Sequence, residues 1–102
     1  MKPLPHTFEL LNVARRVIWF KEPPDALSNP YHFLAHVMTY GSMEDIKIVR
    51  DIIGDEGFRE ALEHAPPGVF DPRSWAYFNL KYGRYPVPLL PERILSEQTS
   101  DL

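Results

Sequence analysis

The chain has 102 residues, of which 44% are hydrophobic and 25% charged, and its formal net charge at pH 7 is −3. These values are typical of one soluble globular domain with a small core. The absence of cysteine excludes disulfides and thiolate metal sites, and the apolar runs are too short to cross a bilayer. The first residues, Met1–His6, hold no apolar stretch of the kind found in secretion signals, so we expect a cytoplasmic protein.

Proline and glycine divide the chain into five predicted helices. The first is predicted over 7–20 with Thr7 as its N-cap, and the two prolines within Glu22–Asp25 are predicted to break it. The second is predicted over 30–40, because Asn29 is a typical N-cap and proline is favoured at the first helical position.

The middle of the chain is predicted to form two helices that meet at a glycine. Ser42 and Asp45 have the spacing of a capping box, in which each side chain accepts a hydrogen bond from the other residue's amide. The third helix is therefore predicted to begin there and to end at Gly54. The fourth is predicted over 55–65, where two prolines end it.

The fifth helix is predicted over 71–82, with Asp71 as its N-cap. Trp75, Phe78 and Tyr82 recur at helical spacing, which predicts one buried stripe. Most of the other aromatic side chains are also expected in the core, because each removes a large area from water on burial.

The chain after the fifth helix is predicted to form an extended, proline-rich arm over 84–91. We expect the apolar arm residues Val87, Leu89 and Leu90 to lie over the domain and cover core aromatics. A short helical turn is expected near 92–95.

The predicted fold class is all-α, with about five short helices in a compact orthogonal bundle. A single helical domain is expected over 1–95, including the arm, and a flexible tail over 96–102.

Acidic residues are concentrated in the middle of the chain, where residues 42–71 carry eight acids and three bases. Half of these acids stand at predicted helix starts, where the helix dipole favours negative charge. Glu56, Glu60 and Glu63 share one face of the fourth helix. This face is either an ordinary solvated surface or an acidic docking surface for a partner protein with a basic surface.

Two tyrosines and two arginines near the fifth helix are further candidates for partner contact. Tyr77 and Tyr85 fall outside the predicted buried stripe, and Arg73 and Arg84 are their neighbours in sequence. Tyrosine and arginine are typical anchors of protein interfaces, so these residues are predicted contacts where the tyrosines are exposed.

His32 and His36 are four residues apart on the second predicted helix, so both rings could face one metal ion. The residues between them lack the glutamate of the zinc-protease motif, and no third ligand has a fixed spacing. The alternative to a metal site is that one or both rings pack against aromatic side chains as half-buried polar groups. We therefore predict no metal site.

The sequence contains no catalytic motif. Its glycines stand at helix ends and turns rather than in a phosphate-binding loop, and no serine has the context of a nucleophile elbow. We expect a protein without enzymatic activity and without a cofactor.

The third, fourth and fifth helices have lengths and connections compatible with a helix-turn-helix, which makes a nucleic-acid-binding regulator the alternative function. Such a unit needs lysine and arginine near the phosphates. The third and fourth helices are net acidic. The fifth helix offers Arg73 and Lys81, with Arg84 just beyond it. The charge distribution therefore argues against DNA binding.

The segments Met38–Asp45 and Pro66–Trp75 resemble a group of uncharacterised small bacterial proteins, with the resemblance spanning 33–91. Members are often encoded next to a nucleotidyltransferase-type toxin of the AbiEii abortive-infection class. The resemblance implies an antitoxin-like or accessory role and carries over no catalytic residues. Together with the charge layout, it predicts a non-enzymatic intracellular interaction protein whose partner is a toxin enzyme with a basic surface.

Overall fold

The structure, a computed structural model, describes residues 1–92. Five helices follow one another in chain order: α1 (Phe8–Val17), α2 (Pro23–Leu27), α3 (Pro30–Tyr40), α4 (Met43–Glu63) and α5 (Pro72–Lys81). No strand occurs within that range, so the predicted all-α fold class is confirmed. Apart from Glu92, the predicted turn over 92–95 and the predicted tail over 96–102 lie outside the described residues.

The third helix, α3, is the centre of the fold. Six consecutive residues, 33–38, are all buried. A helix whose middle is buried on every side must be surrounded by other elements. The other four helices each pack against α3, which places the core along its length.

The predicted helix starts are confirmed by their hydrogen bonds. The Thr7 hydroxyl accepts a bond from a backbone amide in the first turn of α1 at 3.2 Å, and the Asp71 carboxylate does so in α5 at 2.6 Å. Ser42 and Asp45 form the reciprocal capping box at 3.0 and 3.1 Å. Each bond satisfies an amide that has no partner within its helix.

Two predictions for the first part of the chain were wrong. The helix predicted to reach Phe20 ends at Val17, and the following residues form a turn. The segment Glu22–Asp25, predicted as a break, instead begins α2 with Pro23 at its first position. Proline is tolerated there because the first turn of a helix needs no amide donor.

The two helices predicted on either side of Gly54 are confirmed: they meet at a kink at that residue and together make up α4. Gly54 has φ 78° and ψ 169°, a backbone conformation that is essentially restricted to glycine. The predicted boundary therefore marks the kink, while the helical element continues to Glu63.

The proline-rich arm lies over α5, as predicted for part of its length. The indole N–H of Trp75 donates to the Pro88 carbonyl at 2.7 Å, and Val87 and Leu90 pack against the core. The expectation for Leu89 was wrong, because 94% of this residue is exposed. Adjacent residues of an extended segment point to opposite sides, so Leu89 and Leu90 cannot both face the core.

The buried stripe of α5 is confirmed for Trp75 and Phe78, while Tyr82 is half-buried and donates a hydrogen bond to Asp55 at 2.8 Å. The wider expectation of core aromatics fails for a set of exposed rings. These are Phe8, Trp19, Phe20, Tyr40, Tyr77 and Tyr85.

Candidate functional site

A cleft with aromatic walls lies where the end of α1, the turn after it and the end of α3 meet. Its volume is about 360 Å³, within the range of small-molecule and side-chain pockets. We call it the aromatic cleft. Its lining residues are Arg16, Val17, Trp19, Phe20, His36 and Tyr40.

The walls of the aromatic cleft are unusually exposed for side chains of this kind. Trp19 is 84% exposed, Tyr40 65% and Phe20 52%. Large apolar rings at the surface forfeit the burial energy that normally keeps them inside, and exposed apolar clusters of this kind are typical of interaction surfaces.

Contacts between the rings fix the shape of the cleft. Phe20 contacts Trp19 edge-to-face with centroids 5.4 Å apart, and its ring lies 5.7 Å from that of His36. His36 in turn lies 5.7 Å from Tyr40. The buried His36 ring therefore ties the turn after α1 to α3 and holds the walls of the cleft in place.

One charged pair borders the aromatic cleft. The Nε of Arg16 donates to Asp45 Oδ1 at 2.9 Å, and the same carboxylate accepts the Ser42 amide through its other oxygen. Burial of Asp45 opposes its ionisation, but the bonds from Arg16 and Ser42 outweigh it, so the pKa of Asp45 lies below its usual value. The pair anchors α1 to the start of α4 and holds the guanidinium beside the cleft.

His32 and His36 pack against an aromatic side chain, Phe20, as the alternative to a metal site predicted. Their rings lie 4.3 Å apart, and His36 Nδ1 lies 2.9 Å from the His32 carbonyl oxygen. Burial, the neighbouring His36 and the charge of Lys21 lower the pKa of His32 to about 4. Burial also lowers the pKa of His36. Both rings are therefore neutral at pH 7, and no group of three or more His, Asp or Glu side chains within 1–92 is arranged to hold a metal ion.

The lowered pKa of His32 predicts a loss of stability in mild acid. Its pKa is 6.5 in the unfolded chain and about 4 in the fold, so the unfolded state takes up a proton first. The free energy of unfolding should fall as the pH drops from 6.5 towards 4, and His32 should add no further loss below that. Urea unfolding at several pH values measures this effect.

The matched control is His32→Gln, which keeps a polar side chain but does not titrate. Its stability should depend less on pH between 6.5 and 4 than that of the wild-type chain. The His36 ring and the carboxyl groups of Asp45 and Glu60, whose pKa values are also lowered in the fold, are present in both proteins, so the difference between the two pH profiles isolates His32. Equal pH dependence in both proteins would contradict the assignment to His32.

The predicted acidic face of α4 is largely engaged within the molecule. Glu60 is half-buried and accepts a bond from Tyr31 at 2.6 Å, which, with its hydrogen bond to the terminal amine, lowers the pKa of this carboxyl. Glu56 contacts Arg59 at 2.6 Å. Glu63 lies 3.8 Å from Arg84. The docking role of Glu56, Glu60 and Glu63 remains a prediction, on a surface with less uncompensated charge than the sequence suggests.

The predicted contact residues near α5 divide into exposed and internal positions. Arg73, Tyr77 and Tyr85 are exposed, and the first two share a face of α5 at a spacing of four residues. Arg84 is half-buried, and its Nε donates to the buried Asn79 at 2.7 Å. Arg84 is thus part of the joint between α5 and the arm, which leaves fewer cations for the alternative function of DNA binding.

The aromatic cleft was missed by the sequence-based predictions, although one signal was present. Trp19 and Phe20 are adjacent at the end of a predicted helix, and a proline pair follows after two further residues. Two consecutive residues at a helix end cannot both join one apolar stripe. On a helix with a single apolar stripe, this pair indicates that one of the two rings lies off the stripe.

No known protein family, curated protein or solved structure matches the chain. Across residues 1–92, no helix is both long enough and apolar enough to span a membrane.

Proposed function

We propose that the protein is a non-enzymatic interaction module and that the aromatic cleft is its contact surface for a partner protein. The observation that carries this proposal is the 84% exposure of Trp19 in a cleft it shares with Phe20 and Tyr40. Tryptophan, tyrosine and arginine are the residues most enriched among the energetic hot spots of interfaces. Arg16 completes that composition.

The occupant that fits best is an apolar or aromatic side chain of a different protein. The walls offer ring faces and edges, and the charged lining residue, Arg16, is already paired with Asp45. In a symmetric dimer formed cleft to cleft, the Arg16 guanidinium of one copy would approach that of the other, and like charges repel. A heterologous partner avoids this repulsion.

The resemblance to proteins encoded beside AbiEii-type toxins would make this partner a nucleotidyltransferase toxin. That pairing rests on the resemblance alone and remains a prediction. The basic surface of the toxin was predicted to meet the acidic face of α4. The aromatic cleft provides a different contact, which depends on the burial of apolar side chains.

Co-purification tests the proposal. The tagged chain is expressed together with the product of the adjacent gene, as wild type and as the double variant Trp19→Ala, Tyr40→Ala. The matched control is Phe8→Ala, Leu89→Ala, which removes two large side chains that are also exposed but lie outside the cleft. We expect the wild type and the control to retain the partner and the cleft variant to bind at least about thirtyfold more weakly, as for a hot spot of about 2 kcal/mol.

Two outcomes would contradict the proposal. Retention of the partner by the cleft variant at wild-type affinity would place the contact elsewhere. Concentration-dependent self-association that is abolished by the cleft variant would show that the cleft serves a second copy of the chain.

A further inference from the structure

A second cleft lies at the other end of α1, between its first turn and the middle of α4. Its volume is about 330 Å³. We call it the α1–α4 cleft, and its lining residues are Thr7, Glu9, Ile48, Asp51 and Ile52. A helix rises about 1.5 Å per residue, so the ten residues of α1 separate the two clefts by roughly 15 Å.

The α1–α4 cleft combines an apolar floor with an acidic rim. Ile48 is partly buried against the core, and Ile52 remains 41% exposed. The carboxylates of Glu9 and Asp51 supply the charges among its lining residues. This composition differs from that of the aromatic cleft, where the lining charge is a guanidinium.

The negative charge of the rim is only weakly compensated. Within the described part of the chain, no ion pair involves Glu9. Asp51 contacts Lys47 at 3.0 Å, but both side chains are more than 60% exposed and stand four residues apart on one helix. Exposed pairs of this kind contribute only about 0.3–0.5 kcal/mol, so a ligand cation can displace Lys47 at little cost.

We propose that the α1–α4 cleft binds the side chain of an arginine in a partner protein. Arginine has an apolar stem that packs along apolar surface while its charged end stays at the rim. The stem would lie on Ile48 and Ile52, and the guanidinium would meet Glu9 and Asp51. Arginine is preferred to lysine because its guanidinium is more weakly hydrated and offers several donors in one plane, enough to meet two carboxylates.

This assignment is independent of the aromatic cleft and adds a second kind of recognition to the same molecule. It also gives the predicted basic partner a different contact. Glu9 and Asp51 line a cleft, whereas Glu60 on the predicted acidic face accepts a hydrogen bond from Tyr31.

A titration followed by NMR tests the assignment with the full chain. The probe is the peptide acetyl-Gly-Leu-Arg-Leu-Gly-amide, and its control carries citrulline, a neutral side chain of nearly the same shape, in place of arginine. We expect the arginine peptide to shift amide signals of residues 7–9 and 48–52. The citrulline peptide should bind at least tenfold more weakly, and binding of the arginine peptide should weaken as salt is raised.

Variants separate the cleft from the general charge of the protein. Glu9→Gln, Asp51→Asn removes both rim charges, and Asp25→Asn, Glu44→Gln removes two exposed charges elsewhere. The first should weaken arginine-peptide binding at least tenfold and the second less than twofold, with both proteins folded. Equal losses in the two variants, equal affinity for the citrulline peptide, or shifts confined to other residues would overturn the assignment.

Discussion

Replacing Trp75 with alanine is expected to lower the free energy of unfolding by about 3–5 kcal/mol, the usual cost of removing a large buried aromatic side chain. Trp75 is only 4% exposed and contacts Phe70 with ring centroids 5.1 Å apart. Its indole also donates to the Pro88 carbonyl, so the change removes both a core ring and the bond that holds the arm. Urea unfolding at pH 7 measures the loss.

Two further variants separate these contributions. Trp75→Phe keeps an aromatic ring in the core and removes the bond to Pro88, and should cost about 1–2 kcal/mol. Trp19→Ala removes the same side chain at an exposed position and should change stability by no more than about 0.5 kcal/mol. If Trp19→Ala were as costly as Trp75→Ala, Trp19 would be a structural residue and the aromatic cleft would lose its functional interpretation.

Replacing Asp45 with alanine is expected to cost about 2–4 kcal/mol. This carboxylate is nearly buried, accepts hydrogen bonds from the Arg16 guanidinium and completes the capping box with Ser42. A helix cap contributes about 1 kcal/mol and a hydrogen bond to a charged group about 1.5–3 kcal/mol. The loss is kept below that of a fully buried pair because Arg16 is half exposed and can be solvated by water.

The matched control for Asp45→Ala lies on the same helix. Asp51→Ala also removes a paired aspartate, but its pair with Lys47 is exposed, so the expected cost is about 0.3–0.5 kcal/mol. Asp45→Asn keeps an acceptor for the Ser42 amide and should fall between the two. Denaturant midpoints of the three variants measure these losses of stability. Equally small losses for Asp45→Ala and Asp51→Ala would contradict the account.

Local features of the fold could be predicted from the sequence because they depend on neighbouring residues. The capping box of Ser42 and Asp45, the cap at Asp71 and the break at Gly54 each follow from the chemistry of a few positions. The all-α class followed from the same signals.

Which of the hydrophobic side chains occupy the core could not be predicted in this way. α3 is buried over six consecutive residues and, with α1, α4 and α5 around it, fills the core. Trp19 and Phe20 are as hydrophobic as the residues that occupy the core, so composition alone could not assign them to the surface. The internal bonds of Glu60 and Arg84 likewise join residues that are far apart in sequence or in different elements.

The two tryptophans of the chain, Trp19 and Trp75, provide an internal comparison for the aromatic cleft. Their indole N–H groups give separate NMR signals, one from an exposed ring and one from a ring bonded to Pro88. The most direct measurement is a titration of the labelled chain with the partner recovered by co-purification. The account predicts that the Trp19 signal shifts or broadens in step with binding while the Trp75 signal stays in place. A bound complex in which the Trp19 signal is unchanged would contradict it.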